Sequence, residues 1–345
     1  MRYYLGILSV VLFVAVAQAG IGDHFQRLLT RFKAPRGGDL KGLEKNEIEA
    51  FRSIPADFKA TIIWSSNRSG NHEIYRWDNR ARSLKQLTHH AHVDYFGNFS
   101  ADGQRIVFSR SKRPWVSFRE EDGWDVYLMN SDGSDQQILA KTGYMPTWST
   151  DGRQVLFMRD NQVMQIDVNT RTEHVLADGG RPPLGGPVQS PVLASNRKLL
   201  ALILRQKNYR GPAVLDLRTS RLNKFFQSQA CQTFWSDDQN SLLFIAKGGQ
   251  GGTRVMVAHI PNTASGETYP TKVLMDLPGP YSHEYFPRLD NTGGWLVWGA
   301  AAKGHEHDRA DYELFLWQLG RPFKEALRLT HYAGNDQWPD IHVSR

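Results

Sequence analysis

The sequence predicts an all-β fold in which six four-stranded antiparallel blades form a ring. Three observations carry this prediction. A strand–turn–strand phrase recurs five times, a third strand of common character recurs six times, and a sixth phrase is divided between the two ends of the chain. Together they describe a six-bladed β-propeller, its ring closed by the C-terminal strand joining the N-terminal strands.

The clearest copy of the phrase is residues 98–110. Phe99 ends one apolar run, Ser100, Asp102 and Gly103 supply turn chemistry, and Ile106, Val107 and Phe108 resume as a buried strand. It recurs at 147–157, 191–202, 234–244 and 287–298. In each copy nine positions separate two apolar markers: Phe99 and Phe108, Trp148 and Phe157, Leu193 and Leu202, Trp235 and Phe244, Leu289 and Trp298. The first markers are spaced 42 to 54 residues apart, the length of one blade. The markers read as packing between blades, because one blade alone buries too little apolar surface.

The third strands fall at 73–78, 125–130, 162–167, 212–216, 254–258 and 312–317. Closing strands are expected at 85–88, 137–139, 174–176, 224–226, 272–274 and 328–330. The first unit starts abruptly at residues 60–65, which match the second half of the phrase. Residues 337–343 supply its missing first half.

Residues 1–19 read as a signal peptide. Arg2 precedes an apolar run from Leu5 to Val16, and Ala17, Gln18 and Ala19 form a small-x-small cleavage pattern. The run falls short of the roughly 20 residues a membrane span needs. The mature chain is therefore expected to be exported, periplasmic or secreted, monomeric and not membrane-spanning. The single cysteine, Cys231, excludes a disulfide framework and a cysteine-based metal site, and it is expected to be a small buried residue. Residues 20–58 form a partly helical N-terminal extension. Phe25, Leu28, Leu29 and Phe32 share one side of a first helix, and a second falls at 42–51. The propeller itself occupies 59–345. The formal charge of +7 on an exported chain points to a protein partner or an anionic envelope polymer, not nucleic acid.

The Trp-Ser-x-Asp-Gly phrase at 148–152, Glu-Ile-Tyr at 73–75 and Leu-Thr at 87–88 and 329–330 resemble the repeats of the TolB propeller, the WD40-like PD40 family. Residues 66–75 are especially close to them. The resemblance covers about residues 59–345 and implies the propeller type. TolB itself carries a sizeable α/β domain before its propeller; fewer than forty mature residues stand there in this chain. Similar propellers precede the catalytic domain of prolyl-oligopeptidase-like enzymes, but no Gly-x-Ser-x-Gly elbow occurs in this sequence.

Strand direction sorts the loops onto two faces. The Ser-x-Asp-Gly turns, with Asp102, Asp151 and Asp238, share one face and read as structural. The opposite face gathers His72, His89, His90, His92, His283, His305, His307 and His331, eight of the twelve histidines. Asp94, Glu284, Glu306, Asp308, Asp311 and Asp336 accompany them. Imidazoles among carboxylates suit a divalent transition metal, and His92, His283, His305 and His307 are the candidate ligands. A ligand-binding face is expected around His92, Asp94, Trp115, His283, Glu284 and Asp336. On the loop 110–124, Trp115 and Phe118 can stack on sugar rings or take a peptide, with Arg110, Lys112 and Arg113 meeting anions. No catalytic set is recognisable. The expected function is a non-catalytic scaffold that binds a protein or envelope polymer at the channel mouth. The alternative is a metal-dependent lyase or hydrolase acting on an acidic polysaccharide, an arrangement that resembles the oligogalacturonate lyases with their His-ligated manganese.

Overall fold

The computed structural model describes residues 43–236, 240–261, 269–304 and 306–344. The expected signal peptide and first helix, Asp238 and His305 lie outside the described residues. The chain forms six four-stranded antiparallel sheets. From the channel outward, blade 1 is Asp336–Val343, Ala60–Ser66, Glu73–Asp78 and Ser83–Gln86. Blade 2 is Asp94–Phe99, Arg105–Ser111, Trp124–Asn130 and Gln137–Ala140. Blade 3 is Tyr144–Trp148, Gln154–Arg159, Gln162–Asp167 and Glu173–Asp178. Blade 4 is Val188–Leu193, Leu199–Gln206, Tyr209–Asp216 and Arg221–Lys224. Blade 5 is Ala230–Trp235, Ser241–Gly248, Gly252–His259 and Thr271–Met275. Blade 6 is His283–Leu289, Trp295–Ala301, Tyr312–Gln318 and Leu327–Arg328. The C-terminal strand closes the ring, with Val343 opposite Ala60 and Asp336 opposite Ser66.

The second markers Phe108, Phe157, Leu202, Phe244 and Trp298 are all fully buried. Each such side chain contributes about 1.5–3 kcal/mol by leaving water. The tryptophans among the first markers also tie blades together. Trp148 Nε1 donates to the Asn98 carbonyl at 3.1 Å, and Trp235 Nε1 donates to the Val192 carbonyl at 3.1 Å. Asp102 and Asp151 have the expected turn role. Asp102 accepts from Ser100 Oγ (2.5 Å) and the Gln104 N–H (3.1 Å), beside Gly103 at φ +68°. Asp151 repeats this with Ser149 and Arg153.

The closing strands differ from expectation in blades 1, 4 and 6, where they end sooner than the apolar pattern does. In blades 1 and 6 threonine explains it. Thr88 Oγ1 accepts the Ile74 N–H at 2.8 Å, and Thr330 Oγ1 accepts the Leu314 N–H at 2.9 Å. A side-chain acceptor thus stands in for the ladder at the strand's end. In blade 4, Phe225 leaves the strand to pack on Phe244 and Tyr269.

Before blade 1 lies a helix, α1 (Lys45–Ser53), started by a capping box between Glu44 and Glu47. Its Phe51 and Ile54 are buried in the seam between blades 6 and 1, and Phe51 packs on Trp64 and Trp77. Its end is held at the turn face: Asn79 Nδ2 donates to the Pro55 and Phe58 carbonyls, and Arg82 donates to those of Phe51 and Ile54. Its start lies at the histidine face, where Glu47 meets Arg68 and the His331 N–H. The chain enters blade 1 at the turn face, but α1 first crosses the full height of the seam. Among the described residues no helix is long and apolar enough to cross a membrane.

Candidate functional site

In all six blades the innermost strand slips register against its neighbour at the same place. The residues there have left-handed backbone: Phe96 (φ +59°), Met145 (+52°), Ser190 (+50°), Gln232 (+54°), Phe286 (+57°) and Trp338 (+49°). None is glycine, so each conformation costs on the order of 1 kcal/mol or more. A bulge re-aims a side chain, and these six are turned into the channel. Each stands three residues before a first marker; in blade 1 that marker is Ile341. Sequence reasoning missed this ring, although a signal was present. Pro146, Pro191, Pro287 and Pro339 directly follow four of the six, and proline removes a donor that a bulge would leave unpaired.

The ring divides the channel. On the turn side is a small cavity of about 60 Å³, lined by Asn98, Thr147, Thr233 and Arg288. On the histidine side is a cavity of about 610 Å³. The ring is also lopsided. Phe96, Phe286 and Trp338, from blades 2, 6 and 1, pack into an aromatic cluster with Tyr95, Phe118 and His307. Met145, Ser190 and Gln232, from blades 3 to 5, leave more room. The larger cavity therefore opens toward blades 3 to 6. Its wall carries Gln189, Gln229 and Gln232, the cations Arg119, Arg205 and Lys247, and the aromatic faces of Phe118, Tyr285 and Trp338.

A strap from blade 2 roofs the aromatic side. Ser117 Oγ donates to Asp308 at 2.5 Å, the Phe118 N–H donates to the same carboxylate at 3.2 Å, and Arg119 pairs with Glu306. The blade 2 loop is thereby fastened to the blade 6 loop across the mouth. Burial holds the Asp308 carboxyl above the usual carboxylate range. Phe118 folds inward onto His307, with ring centroids 4.9 Å apart, whereas Trp115 remains exposed. Of the three cations expected to meet anions here, none is free. Arg110 is buried against Asp94, Arg113 pairs with Glu120, and Lys112 donates to Thr142 and the Asp122 carbonyl.

The carboxylates expected on the ligand face prove to be one structural position repeated. Asp94, Glu284 and Asp336 each stand two residues before a ring residue, in adjacent blades, and all three are fully buried. Asp94 accepts two bonds from Arg110, at 2.8 and 2.7 Å. Asp336 accepts from Trp64 Nε1 (3.0 Å) and Arg68 (2.9 Å). Glu284 accepts from the Leu277 N–H (2.6 Å) and Thr253 Oγ1 (3.0 Å), and burial pushes it up to about 7. These groups meet protein partners within the blades, so they are not presented to a ligand.

The histidines separate by environment. His283 and His307 line the larger cavity. His307 Nδ1 lies 3.0 Å from the Tyr312 hydroxyl. His92 is outside the cavity lining, its Nδ1 2.7 Å from the Ser111 carbonyl. His72 is buried, and desolvation lowers it to about 3, which keeps it neutral. Cys231 differs from its expected core position: it is half-buried on the cavity wall, and desolvation pushes its thiol up to about 12. Among the described residues, no three His, Cys, Asp or Glu side chains converge as a metal ion would require. Of the four candidate ligands, His283 and His307 share the cavity wall, His92 stands apart from it, and His305 lies outside the described residues.

No family model and no curated protein matches the sequence. Solved structures do share the architecture. TolB from Acinetobacter baumannii matches at 15% identity over 84% of this chain and 68% of its own, with a TM-score of 0.61. A TolB-type protein of Agrobacterium tumefaciens matches at 12% identity over 84% and 99%, with a TM-score of 0.58. Oligogalacturonate lyase from Vibrio parahaemolyticus matches at 13% identity over 81% and 80%, with a TM-score of 0.51. In fold, this chain is a TolB-like six-bladed β-propeller.

Proposed function

We propose that the protein is an exported binding module that holds a protein or an anionic envelope polymer at its channel mouth. One observation carries this reading: the 610 Å³ cavity is open and sets three cations, Arg119, Arg205 and Lys247, against the one acid on its described wall, Glu121, while the neighbouring carboxylates suited to acid–base work are committed to bonds inside the blades. Periplasmic or secreted localisation belongs to the same reading, through the export signal read in residues 1–19. The test is retention of envelope polymers and envelope proteins on immobilised protein, compared with Gln229→Trp. That substitution places a bulky ring on the cavity wall without touching the core. Retention by the parent and loss by the variant support the proposal. Equal retention by both, or turnover of a defined polymer without retention, overturns it.

A second reading, a metal-dependent enzyme on an acidic polysaccharide, is favoured by His283 and His307 sharing the cavity wall. Metal analysis of the purified protein decides it. Less than about a tenth of an equivalent of transition metal sinks it, given the affinities such sites have.

A further inference from the structure

The cations around the channel mouth fall into two groups. Those in blades 1 and 2 are neutralised within the protein. Arg68 lies between Glu47 and Asp336, Arg110 grips Asp94, and Arg119 pairs with Glu306. Arg205 and Lys247 are different. Both line the larger cavity and both are exposed, yet neither has a carboxylate of a described residue within ion-pair distance. Their placement follows from the repeat. Each lies on the second strand of its blade one residue past the last pair with the innermost strand, its N–H bonded to the chain leading into that strand. Arg205 N donates to the Pro187 carbonyl at 2.9 Å, and Lys247 N donates to the Gln229 carbonyl at 2.8 Å. They are thus equivalent positions in adjacent blades 4 and 5, and the ring geometry brings both to one side of one cavity. Burial raises the Tyr144 hydroxyl and the Cys231 thiol, two other wall residues, and the nearby Arg205 guanidinium offsets part of that rise in each. The only carboxylate on the described wall is Glu121, on the strap.

We infer that Arg205 and Lys247 form a carboxylate subsite, and that the ligand is a saccharide bearing that carboxylate. This rests on the binding reading above and names its ligand. A guanidinium fork and an ammonium on one cavity wall are the two cationic groups suited to holding a carboxylate, the first by paired N–H donors and the second as a point charge. Three side-chain amides, of Gln189, Gln229 and Gln232, share the wall with the pair. Amides donate and accept, which suits a hydroxylated body and not the apolar side chain of a peptide terminus. Phe118, Tyr285 and Trp338 add aromatic surface to the same cavity, which can meet the C–H side of a pyranose. The cavity volume is in the range of small-molecule sites and accommodates an end of a chain or a side unit.

The probe is an oligosaccharide ending in glucuronate, titrated calorimetrically into the full-length protein. Its uronate methyl ester, a glucose-terminated analogue and a short peptide with a free C-terminus serve as comparisons. The glucuronate probe should bind, weakening as salt is raised, and the ester and the glucose analogue should bind at least about tenfold more weakly. Arg205→Ala and Lys247→Ala should each cost about tenfold, since each removes one charged hydrogen bond. Both residues are exposed, so melting temperatures confirm that the variants fold. Lys224→Ala, on the outermost strand of blade 4, should change nothing. Equal binding of acid and ester, undiminished binding by both alanine variants, or binding of the peptide without the glucuronate probe overturns the inference. Loss of envelope retention in Gln229→Trp but not in the Arg205 and Lys247 variants leaves the binding reading standing and sinks only this subsite.

Discussion

Replacing Arg68 with alanine is expected to cost about 3–5 kcal/mol, the range for removing one partner of a buried ion pair. The Arg68 side chain is 3% exposed, and the two carboxylates it joins, on Glu47 and Asp336, are fully buried. Its bonds run 3.2 Å to Glu47 in α1 and 2.9 Å to Asp336 in the closing strand. Alanine leaves both acids without their cation. The loss is comparable to the entropy that the closing strand must overcome. Arg68 and Asp336 are 268 residues apart in sequence, and bringing such ends together costs about 5 kcal/mol on a (3/2)RT ln n scale. Urea unfolding should therefore show a lower midpoint, and hydrogen exchange in residues 336–343 should accelerate more than in blades 3 and 4. Acid should soften the defect. Burial already holds the Asp336 carboxyl above its usual range, and loss of Arg68 raises it further. A raised folded value gives stability that is complete below the unfolded value and lost as pH rises through the folded one. The deficit should thus shrink as pH falls from 7 toward 5. A loss below about 1 kcal/mol, with exchange in 336–343 unchanged, would refute the reasoning.

Two further outcomes follow from the site. Glu284, pushed up to about 7 by burial, should make the protein less stable as pH rises from 5 to 8, by a contribution on the order of 3 kcal/mol. Glu284→Gln should flatten that part of the pH–stability curve, and an unchanged slope would remove Glu284 as its source. Asp308→Ala should release the strap. Amide exchange in residues 112–120 is expected to quicken by at least about tenfold, with a stability loss of only about 1–2 kcal/mol. A strap that exchanges at the parent rate would show that Asp308 does not fasten it.

The architecture was legible because it depends on features that repeat. Phe99, Trp148, Leu193, Trp235 and Leu289 recur at blade spacing, and residues 60–65 and 337–343 are two halves of one phrase. The site was harder to read for the opposite reason. Asp94, Glu284 and Asp336 look like ligands one at a time, and their shared position two residues before the bulge emerges only once the register slip is seen. Arg110 looked like an anion contact because sequence cannot show that Asp94 lies opposite it in the sheet. Arg205 opens a short segment, 205–210, that joins cations to a tyrosine as the 110–124 loop does, but Lys247 carries no local pattern and nothing in the sequence links the two. Their convergence depends on two strands in different blades ending at the same height. Proline after four of the six ring residues was the overlooked sign that something other than regular strand lies there.

The lopsided ring of left-handed residues has a bearing on how a polymer can be engaged. Phe96, Phe286 and Trp338 pack together on one side, and Gln232 is bonded to the Phe286 N–H of the adjacent blade, so the channel narrows off-centre at this ring. The smaller Met145 and Ser190 leave the wider part of the opening beside blades 3 and 4. A polymer entering from the histidine face is therefore steered off the channel axis, toward the wall that carries Arg205 and Lys247.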